Sequence, residues 1–210
     1  QLHDTARAIE QCGATALTLE LDVRNEAAVL HAFESLRGST LDVLVNNAGA
    51  GGGQPIETTE TESWRHILDT NVWGTFLVSR HAVPLMRGGG RIVNLSSVLG
   101  RFGVPGYTAY CASKAGLLGL VRAFAAELAP RKIQVNAVCP GWVNTDMAWD
   151  GLSDWPGKTA DEAWAIAVQE VPLRRMSEPA EIAATVAWLA SADALGVTGQ
   201  AIDHNNGAFM

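Results

Sequence analysis

Three short apolar runs constrain this chain more than anything else in it. Leu41-Asp-Val-Leu-Val45, Arg91 to Ser96 and Ile133 to Cys139 are each of strand length, bounded by turn residues, and read as strands buried on both faces. Longer stretches at helical spacing lie between them. Thr61 to Met86 is one, with Asn71 in its middle and Gly88 to Gly90 ending it. Ala109 to Leu128 is the other and contains good helix formers throughout. Strand, helix and strand in alternation with short connections predict an α/β fold, a doubly wound parallel sheet of the Rossmann type in a single domain.

The flanking segments extend the pattern. Leu2, Ala6 and Ile9 follow helical spacing, with Gly13 as the stop, and Ala16 to Val23 alternates into a strand ending Leu-Asp-Val. Asn25 is placed to cap a helix burying Val29, Phe33 and Leu36. After the third run, residues 145–176 read as an insertion with a helix over Ala160 to Gln169. Ser177 is placed to cap a helix reaching Ala190, with Pro179 in its first turn, and Gln200 to Asp203 gives a last strand.

Composition narrows the function classes. Only 18% of the 210 residues are charged and 48% are hydrophobic, so much surface must be buried internally or against another copy. A formal charge of −7 with no Lys/Arg cluster argues against a nucleic-acid surface. Arg122 and Glu127 interrupt the longest helical candidate, so no run reaches membrane-span length. Cys12, Cys111 and Cys139 are widely spaced, and the five His are scattered. That pattern fits reduced thiols in a cytoplasmic protein and offers no metal site.

The chemistry concentrates between Ser97 and Lys114. A hydroxyl ends a strand, a Gly/Pro-rich loop follows, and Tyr110 and Lys114 then sit one helical turn apart on one face. A phenol titrates near 10 and is a poor acid or base at neutrality, and an adjacent ammonium favours its ionised form. A Tyr has a Lys four residues on about one time in fifteen by chance, so the pair needs context. Tyr107 has Cys111 at that position and reads as a loop or pocket-wall aromatic. Cys111 points to another helical face and reads as core.

The context is an ordered set of motifs. Asn46-Asn47-Ala48-Gly49 follows a strand, and Asn71 lies in a helix. Ser97 stands thirteen residues before Tyr110, Lys114 follows, and Pro140-Gly141-Trp-Val-Asn-Thr145 closes the next strand. In this order the chain resembles the classical short-chain dehydrogenase/reductase family over nearly its whole length. The resemblance implies NAD or NADP as cofactor, without saying which. It implies Tyr110 as general acid/base, with Ser97 holding the substrate oxygen. Lys114 would lower the Tyr110 pKa and bind the cofactor ribose, and Asn71 would hold a relay water. It further implies that Asp22 and Val23 contact adenine, that Asn47, Ala48 and Gly49 line the adenosine ribose, and that Val143 and Thr145 contact the nicotinamide carboxamide. Ser96 is the competitor for the role of Ser97, and the thirteen-residue spacing favours Ser97.

Departures from the family pattern also matter. Its opening strand, Gly-rich phosphate turn and second strand have no counterpart here, since Gly51 to Gly53 follows a later strand. Gln1 falls within the family's second helix, so the expectation is a chain lacking its first βαβ part. His204-Asn205-Asn206-Gly207 replaces a Val-Asp/Asn-Gly-Gly-like ending and is expected to affect subunit packing or the far edge of the pocket.

Residues 146–171 stand where the family has its substrate lid, and Met147, Trp149, Trp155 and Trp164 lie in it. The lid reads either as closing over an apolar ketone or alcohol, or as Trp side chains packing it on the body. The segment resembles fatty-acid and aromatic-polyketide ketoreductases. A general secondary-alcohol or polyol dehydrogenase is the alternative, and an inactive cofactor-sensing or structural relative is the alternative of another class. The apolar faces of the Asn71 and Tyr110 helices resemble those paired in family dimers and tetramers, so a homo-oligomer is expected.

Overall fold

The computed structural model describes residues 2–153, 155 and 157–210. Gln1 and lid positions 154 and 156 lie outside the described residues. Helix α1 (Leu2–Gln11) ends where Gly13 takes φ +83°, a backbone conformation that costs glycine little, and Gly13 donates its N–H to the Glu10 carbonyl. Helix α2 (Glu26–Glu34) begins at Asn25, whose Oδ1 accepts the Ala28 N–H at 3.1 Å.

Four parallel strands form the sheet in sequential order: β1 (Val43–Asn46), β2 (Arg91–Leu95), β3 (Gln134–Pro140) and β4 (Ala201–His204). Residues 16–22 form no regular element and do not join it, and Val23 lies in a turn. A strand needs a hydrogen-bonded neighbour, and none of the described residues supplies one there. β1 pairs on one side only, and Val45 is exposed, so this first run is not buried on both faces as its sequence implied.

The register of β2 and β3 sorts their side chains onto two layers. Ile92, Val135, Ala137 and Cys139 pack against Leu118, Val121, Ala125 and Leu128 of α5 (Thr108–Leu128). Val93 and Val138 face the other way, onto Ile182 and Leu189 of α8 (Pro179–Ala190). Strand alternation thus feeds two apolar layers, as a doubly wound sheet requires. Ile92 and Val135 have no exposed surface, and truncating either to Ala would cost about 2–5 kcal/mol.

Asparagines cross the same sheet. Asn46 Nδ2 donates to Asn94 Oδ1 at 2.9 Å and to Ser79 Oγ at 3.0 Å. Asn94 Nδ2 in turn donates to the Asn136 carbonyl at 3.2 Å. Asn136 reaches the loop before β4 through the Val197 carbonyl at 2.8 Å and the Gln200 N–H at 3.0 Å. Buried amides tolerate burial only when paired, so this ladder fixes the lateral register.

The long helix expected over Thr61 to Met86 is broken in a definite place. Helix α3 (Thr61–Leu68) passes into a π-turn (Asp69–Trp73) before α4 (Gly74–Ala82), and Asn71 sits fully buried in that turn. The insertion holds two helices, α6 (Asp146–Ser153) and α7 (Ala160–Gln169), of which α6 had no clear periodic signal. Their own small core joins Leu152, Ala163, Ala167, Val168 and Met176, with Trp149 and Trp155 packed against it. Ser177 does not cap α8. Glu178 precedes that helix and donates its N–H to the Glu181 carboxylate at 2.7 Å, while Ser177 bridges to Val143. Among the described residues no helix is long and apolar enough to cross a membrane.

Candidate active site

Strand β2 ends at Leu95, and the chain turns into a short 3-10 segment (Val98–Gly100) preceded by Ser97. Ser97 is buried, and its Oγ accepts the Leu99 N–H at 3.1 Å, which fixes the hydroxyl at the C-terminal edge of the sheet. From there it faces the Tyr110 phenol, whose ionised form it favours. Ser96 points elsewhere, donating to the Lys114 carbonyl at 2.9 Å. Geometry therefore separates the two neighbours: one meets the phenol, the other ties the strand end to α5.

Tyr110 and Lys114 share a face of α5, and the Lys114 Nζ lies 5.5 Å from the Tyr110 ring centroid. The ammonium is buried and donates to the Leu95 carbonyl at 2.8 Å. Burial pulls its pKa from 10.5 down to about 8, with nearby Cys139 acting the other way. The phenol moves in the opposite direction: burial raises it, and the nearby Ser97 hydroxyl partly offsets this. The expectation that the ammonium leaves Tyr110 with a depressed pKa is therefore corrected. Water exclusion disfavours phenolate and ammonium alike, and Lys114 directs its hydrogen bond to a main-chain carbonyl.

Asn71 bonds away from its own helix. Its Oδ1 accepts the Ala50 N–H at 2.8 Å, and its Nδ2 donates to the Ala50 carbonyl and to Ser113 Oγ, both at 2.9 Å. Ser113 passes the connection on by donating to the Tyr110 carbonyl at 2.8 Å. The π-turn thus pins the loop after β1 to the helix bearing Tyr110. Sequence reasoning missed Ser113, though its position three residues after Tyr110 was a signal.

The loop after β1 leaves Asn47, Ala48 and Gly49 exposed. A side chain at Gly49 would meet Asn71 Oδ1 at 3.4 Å and Lys114 Nζ at 3.6 Å, so only bare backbone separates this loop from the ammonium. Val23 packs on Gly74, where an added Cβ would come within 2.7 Å of it. A cavity of about 100 Å³ is lined by Val23, Asn47, Ala48, Thr70 and Gly74, and the buried Thr70 hydroxyl has no hydrogen-bond partner among the described residues. A larger open depression of about 460 Å³, beside Ile56, Trp64 and Arg65, contains none of these groups. Asp22 is gripped by Arg24, whose guanidinium and N–H hold its carboxyl down to about 2.

Val143 sits in the apolar layer under α8, and Thr145 Oγ1 donates to the Val143 carbonyl at 3.3 Å where α6 begins. Met147 from α6 returns to the centre. A side chain at Gly51 would be 3.5 Å from Met147 Sδ and 3.7 Å from Tyr110 Cε2. Trp149 turns instead to the insertion's own core, with its Nε1 donating to Asn144 Oδ1 at 2.9 Å. Cys111 is only half-buried, not core. Asn206 Nδ2 donates to Ser177 Oγ at 3.0 Å, so the unusual ending braces the strap that precedes α8.

These residues suit a nicotinamide dinucleotide. Gly49 brings bare backbone beside a buried ammonium, a Lys side chain has three donors of which one serves the Leu95 carbonyl, and the Thr70 hydroxyl, unpartnered among the described residues, lines the cavity by Val23 and Asn47.

The family model described as enoyl-(acyl carrier protein) reductase matches residues 1–208. The chain is 43% identical over 173 residues to the 3-oxoacyl-(acyl-carrier-protein) reductase FabG of Staphylococcus aureus, covering 81% of this chain and 67% of that protein. It is 41% identical over 199 residues to the inactive 2-(S)-hydroxypropyl-CoM dehydrogenase 2 of Xanthobacter autotrophicus, covering 92% and 85%. Among solved structures it resembles a single-residue variant of actinorhodin polyketide ketoreductase with NADPH. There the TM-score is 0.89 at 35% identity, covering 99% of this chain and 83% of that one.

Proposed function

The chain belongs to the short-chain dehydrogenase/reductase family of NAD(P)-dependent oxidoreductases, and from that premise we propose that it interconverts an apolar ketone and a secondary alcohol, with Tyr110 as proton donor. The observation that carries this reading is the meeting of Ser97 and Tyr110 hydroxyls over a buried Lys114. Two hydroxyl donors at one point hold a carbonyl oxygen and stabilise the negative charge that grows on it.

When bound, the nicotinamide supplies a hydride to the carbonyl carbon. Asp22 and Val23 would hold the adenine, and Asn47, Ala48 and Gly49 the adenosine ribose. Lys114 would hold the second ribose together with Tyr110, and Val143 and Thr145 the carboxamide. As the carbonyl oxygen gains charge, Tyr110 gives it the phenolic proton. A phenol kept protonated by burial starts that step in the right state. The resulting phenolate lies under the Lys114 ammonium, which stabilises it until a proton returns from solvent. Asn71 Oδ1 retains a second lone pair near Lys114, suited to hold the water of that return path.

Substrate class follows from the walls. Met147 and Tyr107 present thioether and aromatic surface beside Tyr110, which favours an apolar chain or ring over a phosphate. The named activities of the reductase and polyketide ketoreductase relatives point the same way. Residues 146–171 act as the lid. An aromatic strip of Trp73, Phe76 and Phe124 suits pairing of two copies through α4 and α5, giving a dimer or tetramer. Free cysteines, one of them exposed, fit a cytoplasmic setting.

The relative named inactive favours a second reading, a member that binds cofactor without turning over. Steady-state NADH and NADPH oxidation with a panel of 3-oxoacyl thioesters, cyclic ketones and polyol-derived ketoses separates them. Turnover of apolar ketones is expected. Cofactor binding with no turnover on any of them would favour the second reading.

A further inference from the structure

Tyr107 stands where three segments meet. Gly53, in the loop after β1, lies flat under its ring: a Cβ there would be 2.7 Å from Cε2 and 2.9 Å from Cζ. Gly151 of α6 faces its hydroxyl, with a Cβ position 3.5 Å from the oxygen. Its ring meets that of Tyr110 edge-on, with centroids 6.5 Å apart and planes at 77°. The main chain fixes it further. Gln54 donates its N–H to the Gly106 carbonyl at 2.9 Å, Tyr107 donates to the Val104 carbonyl at 3.2 Å, and its own carbonyl accepts the Cys111 N–H at 2.8 Å.

Met147, on the Gly51 side, is different in kind. It is half exposed, unbranched and soft, and its Sδ lies 3.5 Å from where a Gly51 side chain would begin. The approach to Tyr110 therefore has one rigid aromatic wall and one yielding lip.

On the reading that Ser97 and Tyr110 grip a ketone oxygen, we infer that Tyr107 determines which substituent of the ketone goes on which side, and hence the handedness of the alcohol. With the oxygen held and the hydride arriving from one side, only the placement of the two carbonyl substituents selects the face attacked. A wall seated on Gly53 excludes the larger substituent from its side, while Met147 yields to it. The preferred substrate class is a ketone with one small and one long or bulky apolar substituent. Gly53 is part of the device: without a side chain there the ring can lie on the backbone, while Gly151 of α6 packs beside its hydroxyl.

The test compares Tyr107→Ala and Gly53→Ala with the parent protein. The panel holds methyl ketones of rising bulk with NADH and with NADPH, and chiral chromatography reads the alcohols. Tyr107→Ala is expected to lower the enantiomeric ratio about tenfold and to raise the kcat/KM of bulky ketones relative to small ones. Gly53→Ala, which dislodges the ring without removing it, is expected to shift the ratio the same way. A folded Tyr107→Ala or Gly53→Ala protein with unchanged enantiomeric ratio and unchanged bulk preference overturns the inference while leaving the ketoreductase reading intact. A parent protein that turns over no ketone overturns both.

Discussion

The Ser97 hydroxyl faces the Tyr110 phenol, thirteen residues on in sequence, where β2 leaves the sheet. The fold thus brings the two hydroxyls that the proposed chemistry requires together, beside a buried lysine whose ammonium bonds a main-chain carbonyl. Replacing Tyr110 with Phe should lower kcat by about 10²–10⁴-fold through loss of the proton donor. Ser97→Ala should lower it by about 10²–10³-fold through loss of one oxyanion donor. Ser96→Ala is the control: its hydroxyl serves the Lys114 carbonyl, so about 1 kcal/mol of stability should go while turnover stays within a few-fold. Steady-state NADPH oxidation reads all three. If Ser96→Ala and Ser97→Ala lose turnover equally, the assignment of the pair is wrong.

Asn71 supports the site through geometry. Truncating it to Ala leaves the Ala50 N–H and carbonyl without their partner and removes one of the two hydrogen bonds of the Ser113 hydroxyl, which keeps the Tyr110 carbonyl. A lost partner costs about 1–3 kcal/mol, so Asn71→Ala should lose a few kcal/mol in urea unfolding. Asn71→Asp keeps the acceptor for Ala50 but loses both donations, and should fall between the parent and the Ala variant. An Ala variant as stable as the parent would mean that the π-turn does not depend on these bonds.

Lys114 gives a pH dependence whose sign is fixed by burial. Its folded-state pKa of about 8 lies below its ordinary 10.5. The ammonium is therefore intact below about pH 8, and kcat/KM for ketone reduction should decline above it as the charge opposite the developing phenolate is lost. Stability should move the other way. Between about 8 and 10.5 unfolding takes up a proton at this lysine, so its contribution makes the fold more stable as pH rises. Lys114→Met should remove that rise in denaturant titrations at about pH 8 and about pH 10. A rate profile that stays flat across this range would show that Lys114 is not the group that matters.

The acid side tests the strap before α8. Arg175 Nη1 and Nη2 each reach a Glu181 carboxylate oxygen at 2.7 Å, and with the Glu178 N–H they hold that carboxyl at about 2 against an ordinary 4.5. A depressed carboxyl stabilises the fold above its unfolded value and loses that contribution as pH falls through its folded one. The pair is exposed, so the effect is modest and screened by salt. Between pH 4.5 and 2 the parent should lose more stability than Glu181→Gln, by thermal melts in low salt. Equal slopes in the two proteins would remove the pair from the acid response.

Much of this molecule is legible in its residues, and the parts that are not share a cause. The strands at β2 and β3, the helix over Tyr110 and Lys114, and helix α7 over Ala160 to Gln169 follow from local pattern, because each is specified by spacing within one segment. The strand expected over 16–23 failed because pairing depends on a neighbour, not on the run itself. Ser177 failed as a cap because its partner, Val143, is far away in sequence. The Tyr110 pKa was read from one charge, whereas burial by the whole fold decides it. The π-turn, the Asn46–Asn94–Asn136 ladder and the seat of Tyr107 on Gly53 all arise from contacts across distant segments, which no periodicity encodes.

The outer face of the π-turn makes a prediction about assembly. Trp73 is 42% exposed and stacks on Phe76 with centroids 5.4 Å apart, and Phe76 leans on Phe124 of α5 at 6.4 Å. Exposed Trp73 continues across two half-buried rings, Phe76 and Phe124, and an exposed aromatic backed by further apolar surface marks a contact surface. A chain with few charges has reason to cover it. If two copies pair through α4 and α5, Trp73 lies near the centre of the contact, where a buried aromatic contributes most. Trp73→Glu then places a charge in that contact and should move the mass measured by light scattering from a dimer or tetramer towards the next smaller species. Because Asn71 lies two residues away in the same turn, loss of pairing should also lower turnover, and the loss should ease at high protein concentration. A parent that is monomeric at micromolar concentration, or a Trp73→Glu variant of unchanged mass, would remove this strip from the assembly.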